Sequence, residues 1–204
     1  MRIGLTLSAM AVLGSLTTAA AAQNTAQYRA ACDGSEPAYS LAQQVAGCTA
    51  IIDAGSPTPA NLAAAYYNRG IAYEAQKQYA RAIADYDQAI RLKPDDADAF
   101  NNRGNAYQVQ KQYARAIADY DQAIRLKPDY ASAFNNRGIA YEAQKQYARA
   151  IADYDQAIRL KPDYALAFYG RGLAKTALGR KGDGAADMAR AKAIDPDIAS
   201  AFKQ

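Results

Sequence analysis

Apolar and small residues recur with helical spacing along most of this chain, and the whole pattern then recurs with a longer spacing. Residues 97–130 read ADAFNNRGNAYQVQKQYARAIADYDQAIRLKPDY. Phe100, Gly104 and Tyr107 fall on one face of a first helix. Tyr113, Ala116, Ile117, Tyr120, Ala123 and Ile124 fall on one face of a second. Pro128 ends the second helix, because proline cannot extend the hydrogen-bond ladder and pushes the preceding residue out of helical conformation. The block returns almost unchanged at 131–164, again at 63–96, and in worn form at 165–198. A fixed period of this length marks a repeat architecture, in which each unit buries the apolar face of the next.

Counting positions from the first residue of each block, position 4 is Tyr66, Phe100, Phe134 and Phe168, and position 8 is Gly70, Gly104, Gly138 and Gly172. Position 11 is Tyr73, Tyr107 and Tyr141, then Lys175, and position 20 is Ala82, Ala116 and Ala150, then Gly184. Position 24 is Tyr86, Tyr120 and Tyr154, then Met188; position 32 is Pro94, Pro128, Pro162 and Pro196. This alternation resembles the tetratricopeptide repeat, with Tyr or Phe at position 4 where that family often has Trp. The resemblance spans 63–198 and implies an all-α fold, a right-handed superhelical stack of antiparallel helix pairs. Within the first three blocks the turn between helices carries Lys77-Gln78 or its equivalents, with no Gly. The fourth has Gly179, Gly182 and Gly184 nearby, which predicts a looser hairpin.

Three segments are expected: a leader at 1–22, a cap at 23–57 and the array at 58–204. The leader has a positive start at Arg2, an apolar run from Ile3 to Leu16 and small residues at Ala20-Ala21-Ala22, as a secretory signal peptide does. Its run is shorter than the ~20 residues a spanning helix needs, and no later segment is apolar enough to cross a bilayer. The expected location is therefore exported, periplasmic or secreted. Cys32 and Cys48 are the only cysteines, and an even count in an exported chain suggests a disulfide; free thiols are the rival reading. A metal site would need further ligands, and the chain contains no His. Residues 28–53 are expected to form an irregular helical pair capping the first full repeat, and small exported bacterial repeat proteins show a similar cysteine-bearing leader. Ser56-Pro57-Thr58-Pro59 is then the connector, with Thr58 as N-cap and Pro59 at the first helical position. At the other end, Ala199–Gln204 restarts the pattern, with Phe202 at position 4, and stops. Either the fourth block caps itself or the open end meets a partner or a second copy.

The second and third blocks differ only at Asp98/Ser132, Asn105/Ile139, Gln108/Glu142 and Val109/Ala143. At ~100° per residue these positions share one arc of the first helix, opposite Phe100, Gly104 and Tyr107. In the tetratricopeptide family that face lines the concave groove where ligands lie; drift at exposed positions is the bland alternative. The same face carries Asn68, Asn102 and Asn136 at position 6, and Asn101 and Asn135 at position 5. A primary amide offers two donors and an acceptor, so a column of them suits an extended polypeptide backbone. The column is similar to the asparagine ladder in the repeat region of O-linked N-acetylglucosamine transferases, matching at Asn68, Asn102 and Asn136, and Gly170 breaks it. The candidate peptide groove is therefore Asn68, Asn101, Asn102, Asn105, Gln108, Asn135 and Asn136, with Glu74 and Glu142 in register with Gln108. The alternative is that these amides only solvate the groove or tie neighbouring repeats together. Arg69, Arg103, Arg137 and Arg171 at position 7 recur with Asp85, Asp119, Asp153 and Asp187 at position 23, which favours a structural pair over an anion-binding column.

Net charge is +4, or +3 without Arg2, and the basic residues are interleaved with acids, so no nucleic-acid partner is expected. No His is present to serve as general base, and Gly179-Arg180-Lys181-Gly182-Asp183-Gly184 lacks the ending of a phosphate loop. No catalytic residue, cofactor or metal is expected. The expected function is a non-catalytic protein-interaction scaffold of the bacterial cell envelope that holds an extended polypeptide. A cell-wall carbohydrate binder using Tyr67 and Tyr169, or a structural repeat protein that self-associates through its C-terminal end, are the alternatives.

Overall fold

The computed structural model describes residues 26–34, 39–55 and 58–201. The leader at 1–22, Ser56-Pro57 and Phe202 lie outside the described residues. All the elements described are α-helices: α1 (26–33), α2 (Leu41–Asp53), α3 (Pro59–Ala75), α4 (Tyr79–Leu92), α5 (Ala97–Val109), α6 (Tyr113–Leu126), α7 (Ala131–Ala143), α8 (Tyr147–Leu160), α9 (Ala165–Ala177), α10 (Lys181–Ile194) and α11 (Ile198–Ala201). They form two compact units, one ending at Lys93 and the other beginning at Pro94.

In the first unit, Ser40 and Gln43 form a reciprocal capping box that starts α2. Thr58 accepts from the Asn61 N–H and Pro59 opens α3, so the expected cap and first helical residue are both in place. Cys32 of α1 and Cys48 of α2 are joined by a disulfide, and Cys48 is fully buried. Gly47 lets the two helices approach: a Cβ there would lie 2.8 Å from the Tyr28 carbonyl oxygen. α3 packs against both α2 and α4.

In the second unit each helix from α5 to α10 packs against the next, and the first helices of successive repeats also touch, α5 with α7 and α7 with α9. The core is built on tyrosine and small residues. Tyr120 and Tyr154 are fully buried, as is Tyr86 in the first unit. Each ring lies against the position 8 glycine of its own repeat: a Cβ at Gly104 would sit 2.7 Å from Tyr120 Cε1, and one at Gly138 would sit 2.8 Å from Tyr154 Cε1. The short α11 folds back on α9, with Ile198 buried against Ala165 and Ala191.

The turns correct one expectation. Lys77, Lys111 and Lys145 adopt left-handed φ values of 60°, 58° and 59°, and Gly179 adopts 82° at the same position. The fourth hairpin is therefore not looser. It makes the same left-handed turn with the residue that tolerates it best, where the other three hold a lysine in a conformation that costs roughly 1–2 kcal/mol.

Candidate functional site

Much of the polar chemistry of the repeats is spent on holding them together. Arg69 grips Asp85 with two bonds, Nε to Oδ2 at 2.7 Å and Nη2 to Oδ1 at 2.8 Å. Arg103 with Asp119, Arg137 with Asp153 and Arg171 with Asp187 repeat this fork. The third nitrogen reaches backward. Arg137 Nη1 donates to Asp121 of the preceding repeat and Arg171 Nη1 to Asp155, both at 2.6 Å, and Arg69 Nη1 meets Thr49 of α2 at 2.9 Å. Each guanidinium also lies over the position 4 ring, for example 5.5 Å from the Phe134 centroid. The column is thus a set of structural pairs, bidentate within a repeat and, at Arg69, Arg137 and Arg171, bridging to the element before it.

Four of the candidate groove residues are acceptors for buried tyrosines. Tyr86 donates to Glu74 Oε2 at 2.8 Å and Tyr154 to Glu142 Oε2 at 3.0 Å. Tyr120 donates to both Asn105 Oδ1 at 2.9 Å and Gln108 Oε1 at 3.2 Å. Burial pushes the Glu74 and Glu142 carboxyls up, against the lowering effect of the tyrosine hydroxyl. The arc of divergent positions is therefore not wholly free, as the wheel had suggested. Val109 and Ala143 are exposed, but Gln108 and Glu142 bend over to the second helix, and Ile139 packs into the Tyr154 core.

The amide column is corrected further. Asn101 and Asn135, expected in the groove, are buried, at 5% and 2% exposure. An isolated helix wheel cannot show that the next repeat covers position 5. Asn136 Nδ2 donates to Asn101 Oδ1 at 3.2 Å and to Asn105 Oδ1 at 3.0 Å, across the α5–α7 boundary. Asn135 donates to Asn136 at 3.3 Å and Asn101 to Asn102 at 3.2 Å. In this stretch the amides form a joint between repeats. The joint stops at Gly170, where a Cβ would lie 2.6 Å from Tyr154 Cζ, and Asn135 Oδ1 is left buried without a partner among the described residues.

Asn68 differs. It is half-buried, makes no hydrogen bond among the described residues, and lines a cavity of about 320 Å³ in the first unit. The other walls are Arg29, Cys32 and Asp33 from α1, Ile51, Ala54 and Gly55 at the end of α2, and Asn61, Ala64 and Ala65 from α3. Sequence reasoning missed Arg29 and Asn61. The signal available was the i, i+3, i+4, i+7 run of Asn61, Ala64, Ala65 and Asn68 on a helix already expected. Among the described residues no group of three or more His, Cys, Asp or Glu could hold a metal ion, and no helix is long and apolar enough to cross a membrane.

Comparison with known proteins agrees with this architecture. Residues 97–130 and 131–164 each match the family profile described as Tetratricopeptide repeat, and 75–111 match one described as TPR repeat. Residues 75–164 therefore carry tetratricopeptide repeats. No curated protein matches the chain. Among solved structures, MamA 41-end from Desulfovibrio magneticus RS-1 is 19% identical with a TM-score of 0.75, over 85% of this chain and 96% of that one. YrrB, described as a TPR protein with an unusual peptide-binding site, is 22% identical with a TM-score of 0.65, over 80% of this chain and 84% of that one. The first TPR of Spaghetti bound to the HSP90 peptide SRMEEVD is 27% identical with a TM-score of 0.59, over 61% of this chain and 99% of that one. These likenesses establish an all-α fold of stacked helix pairs.

Proposed function

We propose that this protein is a non-catalytic adaptor of the bacterial cell envelope that holds an extended segment of another protein. The observation that carries this reading is the uncommitted amide of Asn68 beside a ready cavity, on the helix face that in repeats of this kind meets ligands. Two solved structures of similar fold support it: the Spaghetti structure holds a peptide, and YrrB is described by its peptide-binding site. The absence of His from the whole sequence is in keeping with binding rather than turnover. The leader-like residues 1–22 and the Cys32–Cys48 disulfide fit an exported, oxidising location.

A photo-crosslinking residue in place of exposed Ile71, one turn from Asn68 on α3, tests the reading in the native envelope. The expected result is crosslinked peptides that map to one extended segment of one partner protein. Crosslinks to cell-wall glycan alone, or random crosslinks to abundant proteins, would sink it.

A further inference from the structure

We propose that the cavity of the first unit is a seat for one apolar side chain of an extended polypeptide, whose main chain lies across Asn61 and Asn68. This rests on the reading above that the partner is a polypeptide, and adds where it is anchored and by what.

The seat is built from three stripes. α1 offers Arg29, Cys32 and Asp33; the end of α2 offers Ile51, Ala54 and Gly55; α3 offers Asn61, Ala64, Ala65 and Asn68. The α1 and α3 sets have the i, i+3, i+4 spacing that puts side chains on one helix face, while Ala54 and Gly55 belong to the turn that ends α2. The disulfide, Ile51 and the three alanines make a floor of small apolar surface, and the polar groups stand around it. A volume of about 320 Å³ is at the small end of ligand cavities, which run from about 300 to 1,000 Å³. That admits a side chain and its neighbouring backbone.

The two amides define how the backbone runs. Asn61 and Asn68 are two turns apart on α3, a separation of ~10 Å along its axis. An extended chain covers that distance in about three residues, with alternate side chains pointing to opposite sides. One side chain then enters the floor while a primary amide meets the main chain on either flank. The wall carries one residue of each sign, Arg29 and Asp33, so it offers no net reward to a charged side chain. Among the described residues no aromatic ring lines it, so they offer no stacking surface of the kind a sugar would use.

The cavity also has a structural cause. In the second unit the equivalent of Asn68 is Asn136, whose Nδ2 is taken by Asn101 and Asn105 of the preceding first helix. In front of α3 stands α1, which contributes Arg29, Cys32 and Asp33 to the wall and no amide. The joint used between α5 and α7 is therefore not made by Asn68, whose amide faces the cavity instead.

The test uses the full-length oxidised protein and synthetic heptapeptides Gly-Ser-Ser-X-Ser-Ser-Gly, with X as Gly, Leu, Phe, Glu or Lys. Binding is read from the methyl NMR shifts of Ile51, Ala54 and Ala65. The Leu and Phe probes are expected to bind about tenfold or more tightly than the Gly, Glu and Lys probes, as burial of one apolar side chain implies. Ala64→Leu fills the seat from an exposed site on α3 and is expected to erase that preference with no loss of helix content. Equal binding of Gly and Leu probes, or a preference that survives Ala64→Leu, would overturn the proposal. The crosslink at position 71 separates the two claims: a partner captured equally by wild type and Ala64→Leu leaves the adaptor reading standing and removes the seat.

Discussion

The third and fourth repeats share one backbone plan and fill it in opposite ways. In 131–164 the two helices are held apart by a ring: Tyr154 is fully buried against Gly138, and its hydroxyl is held by Glu142. In 165–198 Tyr154 is answered by Met188, Glu142 by Thr176 and Ala150 by Gly184, and the helices meet backbone to backbone. A Cβ at Gly184 would strike Thr176 Oγ1 and lie 2.6 Å from the Gly172 carbonyl oxygen. The electrostatics diverge too. Burial sets the Asp153 carboxyl above its ordinary value despite Arg137. Burial would do the same to Asp187, but hydrogen bonds from Arg171 and from Lys175, which replaces Tyr141, outweigh it and hold that carboxyl low. One helix pair can thus be closed by an aromatic spacer or by glycine contact and an extra cation.

The sharpest way to break this comparison is to remove the spacer. Tyr154→Ala is expected to cost about 3–5 kcal/mol, because the ring is fully buried and Glu142 loses its donor. Met188→Ala, at a half-buried site, should cost only about 1 kcal/mol. Equal shifts in the denaturant midpoints of the two variants would show that the fourth repeat relies on its side chain as much as the third does.

Lys175→Met should follow, with a loss of about 1.5 kcal/mol at neutral pH. Its pH dependence has a definite sign. A carboxyl held low in the folded state contributes stability above its ordinary value of 3.8 and loses it as pH falls through the folded value. The gap between wild type and variant should therefore close in acid, as read from thermal unfolding across pH. A gap that stays constant would mean that Lys175 acts through packing alone.

Gly184→Ala is expected to bring a net loss of about 1 kcal/mol, in which overpacking against the Gly172 carbonyl exceeds the gain in helix propensity. Alanine fills the same position in the third repeat as fully buried Ala150. A rise in melting temperature on Gly184→Ala would show that α9 and α10 can separate freely.

The fold was legible because each repeat writes the same two amphipathic helices, and copies in register leave little choice of architecture. The Arg–Asp fork was legible for a related reason: Arg137 and Asp153 recur together in every block. The amides were not. Positions 5 and 6 are neighbours in sequence, about 100° apart on the wheel, and the packing of α7 on α5 shows which of them is covered: Asn135 is buried and Asn136 half-buried. Glu142 escaped for another reason, since a long side chain on an open arc can fold back to a hydroxyl. The sequence did hold a hint there, because Glu142 and Tyr154 become Thr176 and Met188 together. The cavity at Asn68 depends on how α1 and the end of α2 meet α3, and the periodicity of the later blocks carries no information about that.

The amide joint between α5 and α7 has a consequence for how such a molecule grows. Asn101 receives and Asn136 gives, at positions 5 and 6 that the second and third blocks share, while Asn105 adds an acceptor where the third block has Ile139. Where cassettes carry those amides, unequal recombination in the gene lengthens or shortens the protein by whole cassettes, and the new seam arrives with its fasteners already fitted. Gly170, with Tyr154 lodged against it, is the terminator that ends the series.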